Sequence, residues 1–333
     1  MRKMRHILIR MAIAIAIVAG VLWLSRPWPD VLAIRFIFDR GAATASGALE
    51  KHLPRQIITR NSIPYDGTDR DALLDVYRPA RLDPSSPTIV WVHGGGFVSG
   101  RRGDIANYLK ILAGQGFAVV NVDYTIAPEA TYPTPVRQLG RALAFIDSHA
   151  ATLGINARAL ILAGDSAGAQ IAAQMANIIT NPAYAHAIGV TAPVTSQRLR
   201  GALLYCGVYD LQTLGTDRGG IIGWFLRIVT WAYSGSRDWS TVPGFERMSV
   251  ARHVGASFPP AFISAGNADP LGPQSVAMAR ALQTRQVQVE TLFFPKNHKP
   301  DLGHEYQFDL DHADGQTALA RSVTWLRRHG LQD

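Results

Sequence analysis

The chain has 333 residues, 47% of them apolar and 17% charged, with a formal net charge of +8. That composition buries a sizeable core and excludes wholesale disorder, and one cysteine, Cys206, excludes an internal disulfide or a cysteine-rich zinc site. The positive charge forms no stripe interleaved with stacking aromatics, so no nucleic-acid partner is expected.

The chain opens on the basic segment MRKMRHILIR, followed by the uncharged apolar run Met11–Leu24. Taken with Ile7–Arg10, and with Arg10 reaching back to the headgroups, the run suits an N-terminal membrane helix and signal anchor over residues 1–28. The basic flank would then stay in the cytoplasm and hold the remaining chain outside it, on the periplasmic side if the source is bacterial. A cleaved signal peptide and a secreted product form the alternative. Against cleavage, SRPWPD follows Leu24 in place of a small-residue site, and Trp23 and Trp28 suit an interfacial belt. Residues 29–54 read as an amphipathic connector, in which VLAIRFIF (Val31–Phe38) either lies on the membrane surface or packs on the globular domain.

From residue 55 to 333, β-type runs alternate with helical patterns. QIITRNSI and ALLDVYRP read as paired early strands, and TIVWVHG as a buried strand ended by glycines. A helix around Ile105–Gly114, the strand AVVNVDY, a helix near Pro135–Leu153 and the strand ALILAGD follow, with a further helix beginning at Ser166. GALLYCGV, PAFISAGNAD and VQVETLFFP are later strands, and the last helix runs from about His312 to His329. This alternation predicts an α/β fold with a mostly parallel central sheet flanked by helices. The stretch from about 209 to 258 has no convincing strand and holds Trp224, Phe225, Trp231, Tyr233 and Trp239, which suggests a helical cap insertion.

Two motifs carry chemistry. Gly164-Asp165-Ser166-Ala167-Gly168 sits between a strand and a helical pattern, the context in which G-x-S-x-G lifts a serine above the sheet on a sharp turn. A helix N-cap serine is the plain alternative. His93-Gly94-Gly95-Gly96-Phe97 closes the strand TIVWV, where consecutive glycines let amides turn toward a substrate oxygen. Gly94, Gly95 and Ala167 are the expected oxyanion-hole donors.

HGGGF followed by GDSAG resembles the hormone-sensitive-lipase-like group of α/β-hydrolase esterases, over about Ile57 to the C-terminus. The segment Asp123–Glu129 is similar to that group's Y-R-L-A-P-E signature, with Thr125 where arginine is usual, and Pro135–Gln138 departs from the usual acidic residues. A structural ion pair of the group is thus expected to be absent at both positions together. The α/β-hydrolase chain order of serine, acid, histidine points to Asp269, at the end of AFISAGNAD in a context similar to the group's G-x-x-D-P-L. It then points to His304 in LGHEYQF, which resembles the group's G-H-x-F site. His298 and His312 are the competing imidazoles. The expected activity is that of a serine hydrolase cleaving carboxylic esters of small to medium acyl chain through Ser166, His304 and Asp269 and an acyl-enzyme. An amidase or formamidase using the same site, and a ligand-binding protein on a hydrolase scaffold, are the alternatives. No cofactor is expected, and no metal, because zinc-ligand spacing such as H-E-x-x-H is absent. The expected partners are a small-molecule ester and the membrane.

Overall fold

The computed structural model describes residues 2–24 and 26–330, without the side chains of 2–4, 16, 17 and 22–24. Eight strands form one sheet: β1 (Ile57–Pro64), β2 (Leu73–Pro79), β3 (Thr88–Val92), β4 (Ala118–Val122), β5 (Leu160–Asp165), β6 (Leu199–Tyr205), β7 (Ala261–Ala265) and β8 (Val289–Phe293). Their order is β1-β2-β4-β3-β5-β6-β7-β8. β1 and β2 pair antiparallel, as do β2 and β4, and every later pairing is parallel.

The central strands are mostly β-branched and aliphatic because both faces are covered. Along β3, Val90 and Val92 point into one core with Val136 and Leu139 of α4 (Thr134–Leu153), Met175 of α5 (Ser166–Thr180) and Met278 of α8 (Gly272–Thr284). Ile89 and Trp91 point into the other, with Tyr108 of α3 (Arg102–Ala113) and Trp325 of α9 (Ala313–Gly330). The period-two alternation of a strand thus separates two layers of helix. β1, at the sheet edge, is exposed along most of its length and carries Arg60 and Asn61 outward. α6 (Pro182–Ile188) follows α5, and α7 (Gly220–Ser234) lies between β6 and β7 among several single 3₁₀ turns.

The N-terminal region is helical: α1 (Arg2–Leu24) and α2 (Trp28–Ala48). Among the described residues, no helix is long and apolar enough to cross a membrane, so the spanning helix expected over residues 1–28 is not found. The uncharged run from Met11 to Leu24 covers 14 residues, about 21 Å of helix against a hydrocarbon layer of about 30 Å. The charges of Arg5 and Arg10 fall in the earlier half of α1. The side chain of Trp23 lies outside the described residues, as does Ser25, the first residue of the SRPWPD segment that argues against cleavage. α2 contains VLAIRFIF and takes the packing alternative: Val31 and Ile34 are buried, and the helix rests on α3 and α7.

Arg35 fixes that helix in place. Its guanidinium donates to the carbonyls of Val98 (2.6 Å) and Ala127 (2.9 Å) and to both oxygens of Glu129 (2.8 and 2.6 Å). The ion pair expected to be missing around Thr125 and Gln138 is replaced by a mixed network. The buried Gln138 accepts from the Thr125 amide (2.9 Å) and donates to Thr125 Oγ1 and Asp69 (2.8 Å each), while Thr125 Oγ1 donates to Asp71 (3.0 Å).

Candidate active site

β3, β5 and β7 all deliver their carboxyl ends to one rim of the sheet, the place where open α/β sheets bind ligands. In the β3–β5 register Val92 faces Gly164, so the glycine run and the serine turn begin side by side. Ser166 has φ +50, a left-handed conformation that a non-glycine residue holds only when its surroundings impose it. Both glycines of the pentapeptide are required by that crowding. A Cβ on Gly164 would lie 2.7 Å from the Val92 carbonyl oxygen, and one on Gly168 would lie 2.0 Å from it.

Ser166, Asp269 and His304 converge. The serine Oγ is 3.0 Å from His304 Nε2, and His304 Nδ1 is 3.0 Å from each oxygen of Asp269. With the proton on Nδ1, the ring donates to Asp269 and leaves Nε2 free to accept from the serine. The Asp269 side chain is fully enclosed, while that of His304 is 30% exposed toward the cleft. The loops carrying these two groups are tied together by Asn267, whose Oδ1 accepts from the Leu302 amide (2.8 Å) and whose Nδ2 donates to the His298 carbonyl (3.1 Å). The Ala268 amide donates to the Leu302 carbonyl at 2.9 Å. His298 and His312 stand elsewhere, facing Asp314 (3.1 Å) and Asp309 (2.7 Å). Sequence reasoning missed Asn267, for which only its place two residues before the acid offered a hint.

The glycine run corrects one expectation. The Gly94 amide donates to Asp165 Oδ2 at 2.8 Å, so it is already engaged and does not face an incoming oxygen. The Gly95 and Gly96 amides have no intramolecular acceptor among the described residues, and both residues line the cleft beside Ala167. The donor set that fits is therefore Gly95, Gly96 and Ala167. Gly95 and Gly96 have φ +110 and +61, and a Cβ at Gly95 would meet the Ser99 carbonyl oxygen at 2.1 Å. Asp165 also accepts from Trp91 Nε1 (2.7 Å), so one carboxylate joins the serine turn to the glycine loop. Burial and then the charge of Glu305 push its carboxyl up to about 7.

Above the serine opens an apolar cleft of about 620 Å³. α2 contributes Ile37 and Phe38 to its walls and α7 contributes Phe225 and Val229. Among the described residues, one donor group has metal-ligand spacing: Cys206, Asp269 and His304, within 4.8 Å of one another. Burial pushes the Cys206 thiol well up, which keeps it from being a thiolate ligand. The other two are bonded to each other, so the group fits proton transfer better than an ion.

The sequence profile of the alpha/beta hydrolase fold matches residues 89–299, more than half of the chain. The chain belongs to the α/β-hydrolase fold family. This α/β-hydrolase is 27% identical over 291 residues to esterase LipQ of Mycobacterium tuberculosis, covering 85% of the chain and 66% of LipQ, just under two thirds of that relative's length. Against carboxylesterase NlhH of the same species it is 26% identical over 289 residues, covering 83% of the chain and 84% of the relative. Its fold is similar to that of esterase B from Lactobacillus rhamnosis, solved with a tributyrin phosphonate (TM-score 0.77, 21% identity, 91% and 96% of the two chains). It is also similar to a bacterial heroin esterase (TM-score 0.71, 25% identity, 92% and 93%).

Proposed function

We propose that the protein is a serine carboxylesterase acting on neutral esters of small to medium acyl chain. The observation that carries this reading is the chain of 3.0 Å contacts from Ser166 Oγ through His304 to Asp269, below an apolar cleft. Relatives named esterases support the class of reaction.

In the first step Ser166 Oγ bonds to the ester carbonyl carbon while its proton passes to His304 Nε2. The carbonyl electron pair moves onto the oxygen, held by the Gly95, Gly96 and Ala167 amides. Removing such a donor typically slows catalysis by about 10²–10³-fold. Asp269 keeps Nδ1 protonated and stabilises the imidazolium. The tetrahedral intermediate then collapses, the Nε2 proton goes to the leaving alkoxide, and water resolves the acyl-enzyme by the same route. The left-handed backbone of Ser166 sets its hydroxyl at the start of α5, where the helix dipole favours developing negative charge.

The N-terminal arm is read as the element that holds the protein at a lipid surface. Ile15 on α1, Phe36 and Ile37 on α2, and Ile221 at the start of α7 are 65%, 59%, 60% and 75% exposed, and basic residues precede the apolar run. An amphiphilic arm of this kind suits interfacial binding. Flotation with anionic lipid vesicles tests it: the protein should float, and an Ile13→Asp, Val18→Asp variant should remain in the load.

The catalytic reading is tested with a series of nitrophenyl esters and matched nitroanilides. Hydrolysis of short and medium esters, at least about 10²-fold faster than of the anilides and absent in Ser166→Ala, is expected. Faster anilide cleavage overturns the ester assignment, and no turnover of either favours a binding role.

A further inference from the structure

Glu305 follows the catalytic imidazole in the chain and opens the turn Tyr306–Phe308, its carbonyl accepting from the Phe308 amide at 3.1 Å; that backbone role does not require a carboxylate side chain. Its backbone is left-handed, at φ +61, which a non-glycine residue adopts at some energetic cost. Its amide donates to the buried Cys206 Sγ at 3.4 Å. The side chain lines the cleft, one third exposed, and its one ionic neighbour among the described residues is His304, with Oε1 3.7 Å from Nε2. Oε1 also lies close enough to the glycine loop that a Cβ on Gly94 would come within 3.1 Å of it. There it faces Asp165, a second carboxyl whose proton is held more tightly partly because of Glu305. Two acids thus stand together beside the imidazole, and among the described residues the Glu305 carboxylate pairs with no cation other than His304.

We propose that Glu305 is a positioning residue: its carboxylate, set against the Nε2 side of His304, stabilises the imidazolium that forms when the ring takes the Ser166 proton. This rests on the acyl-transfer reading given above. Asp269 holds the ring at Nδ1, and Glu305 supplies a second negative charge at the opposite nitrogen. The positive charge therefore develops between two carboxylates, while the oxyanion develops at the amides of Gly95, Gly96 and Ala167. Because Oε1 stands at 3.7 Å and Ser166 Oγ at 3.0 Å, Glu305 does not displace the serine from Nε2. It acts through charge and leaves the serine hydrogen bond intact.

The ionisable groups facing His304 come from four elements: Asp269 after β7, Asp165 at the end of β5, Cys206 after β6, and Glu305 on its own loop. Cys206 stays a neutral thiol through burial. Desolvation pulls the imidazole down, yet the Asp269 hydrogen bond and the charges of Glu305, Asp269 and Asp165 outweigh it and raise it to about 9. Removing the Glu305 charge while keeping its shape should lower that value and leave the triad contacts intact.

The test measures the rate at which a nitrophenyl phosphonate labels Ser166, as a function of pH, in the wild type, Glu305→Gln and Glu305→Asp. The acid limb of Glu305→Gln should move at least about half a pH unit lower, with a plateau about 3- to 10-fold slower. Glu305→Asp should fall between the two. A limb that does not move in Glu305→Gln overturns the proposal, whatever happens to the plateau. Absence of Ser166 labelling in the wild type overturns the acyl-transfer reading instead, so the two failures are separate.

Discussion

In the proposed reaction the imidazole of His304 acts as a base only when neutral, and its surroundings raise it to about 9. Below that value the ring is mostly protonated, so kcat/KM should fall as the pH drops through about 9 and level off above it. A pH profile with a short soluble ester measures this directly, and an acid limb near the ordinary imidazole value of about 6.5 contradicts it. Two glycines of similar appearance in the sequence should respond oppositely to alanine. At Gly168 the added Cβ would stand 2.0 Å from a backbone oxygen of β3, and Gly168→Ala should lose about 3 kcal/mol or more in urea unfolding, or fail to fold. At Gly140, within α4, the nearest atom is the flexible end of Met175 at 3.5 Å. There alanine should be neutral or stabilising by up to about 1 kcal/mol, as its helix propensity predicts. The pentapeptide glycines were legible as a motif, but their reason, the Val92 carbonyl, belongs to a strand more than seventy positions earlier.

At the scale of elements, α2 matters most because it is both a wall of the cleft and an N-terminal appendage. Its attachment is concentrated in Arg35, whose side chain is 18% exposed and bonded to two carbonyls and Glu129. Arg35→Ala leaves that carboxylate and those carbonyls without their donor, and about 1–3 kcal/mol of stability should be lost. KM for the longer acyl esters should rise while kcat for acetyl esters stays near the wild-type value, because the wall loosens and the triad does not. Equal losses on all acyl lengths would place α2 outside the substrate path. VLAIRFIF was readable as an apolar segment with two possible resting places. The choice between them depended on Arg35 reaching Val98, Ala127 and Glu129, contacts about sixty to ninety-five positions away that no local pattern encodes. The proposed oxyanion donors show the same limit: three adjacent glycines look alike in sequence, and only the Asp165 contact to Gly94 decides which amides remain free.

Over the whole molecule, the alternation of strand and helix patterns made the parallel sheet and its two helical layers legible, since period-two burial along β3 and amphipathic helices such as α4 are local signals. The meeting of Ser166, Asp269 and His304 was legible through chain order and motif context, because the serine turn and the acid fall at the ends of parallel strands on the same rim. The membrane segment was not settled by hydropathy: a run of 14 uncharged residues stops short of a bilayer, however apolar each residue is. The central claim is that Ser166 forms a covalent acyl intermediate with His304 as its base. Rapid quenching after mixing with nitrophenyl butyrate, followed by mass spectrometry of the peptides, tests it most directly. A butyryl group on Ser166, lost in Ser166→Ala and formed at least about 10³-fold more slowly in His304→Ala, is the predicted result. An intermediate on another residue, or ester turnover that survives in Ser166→Ala, would contradict it.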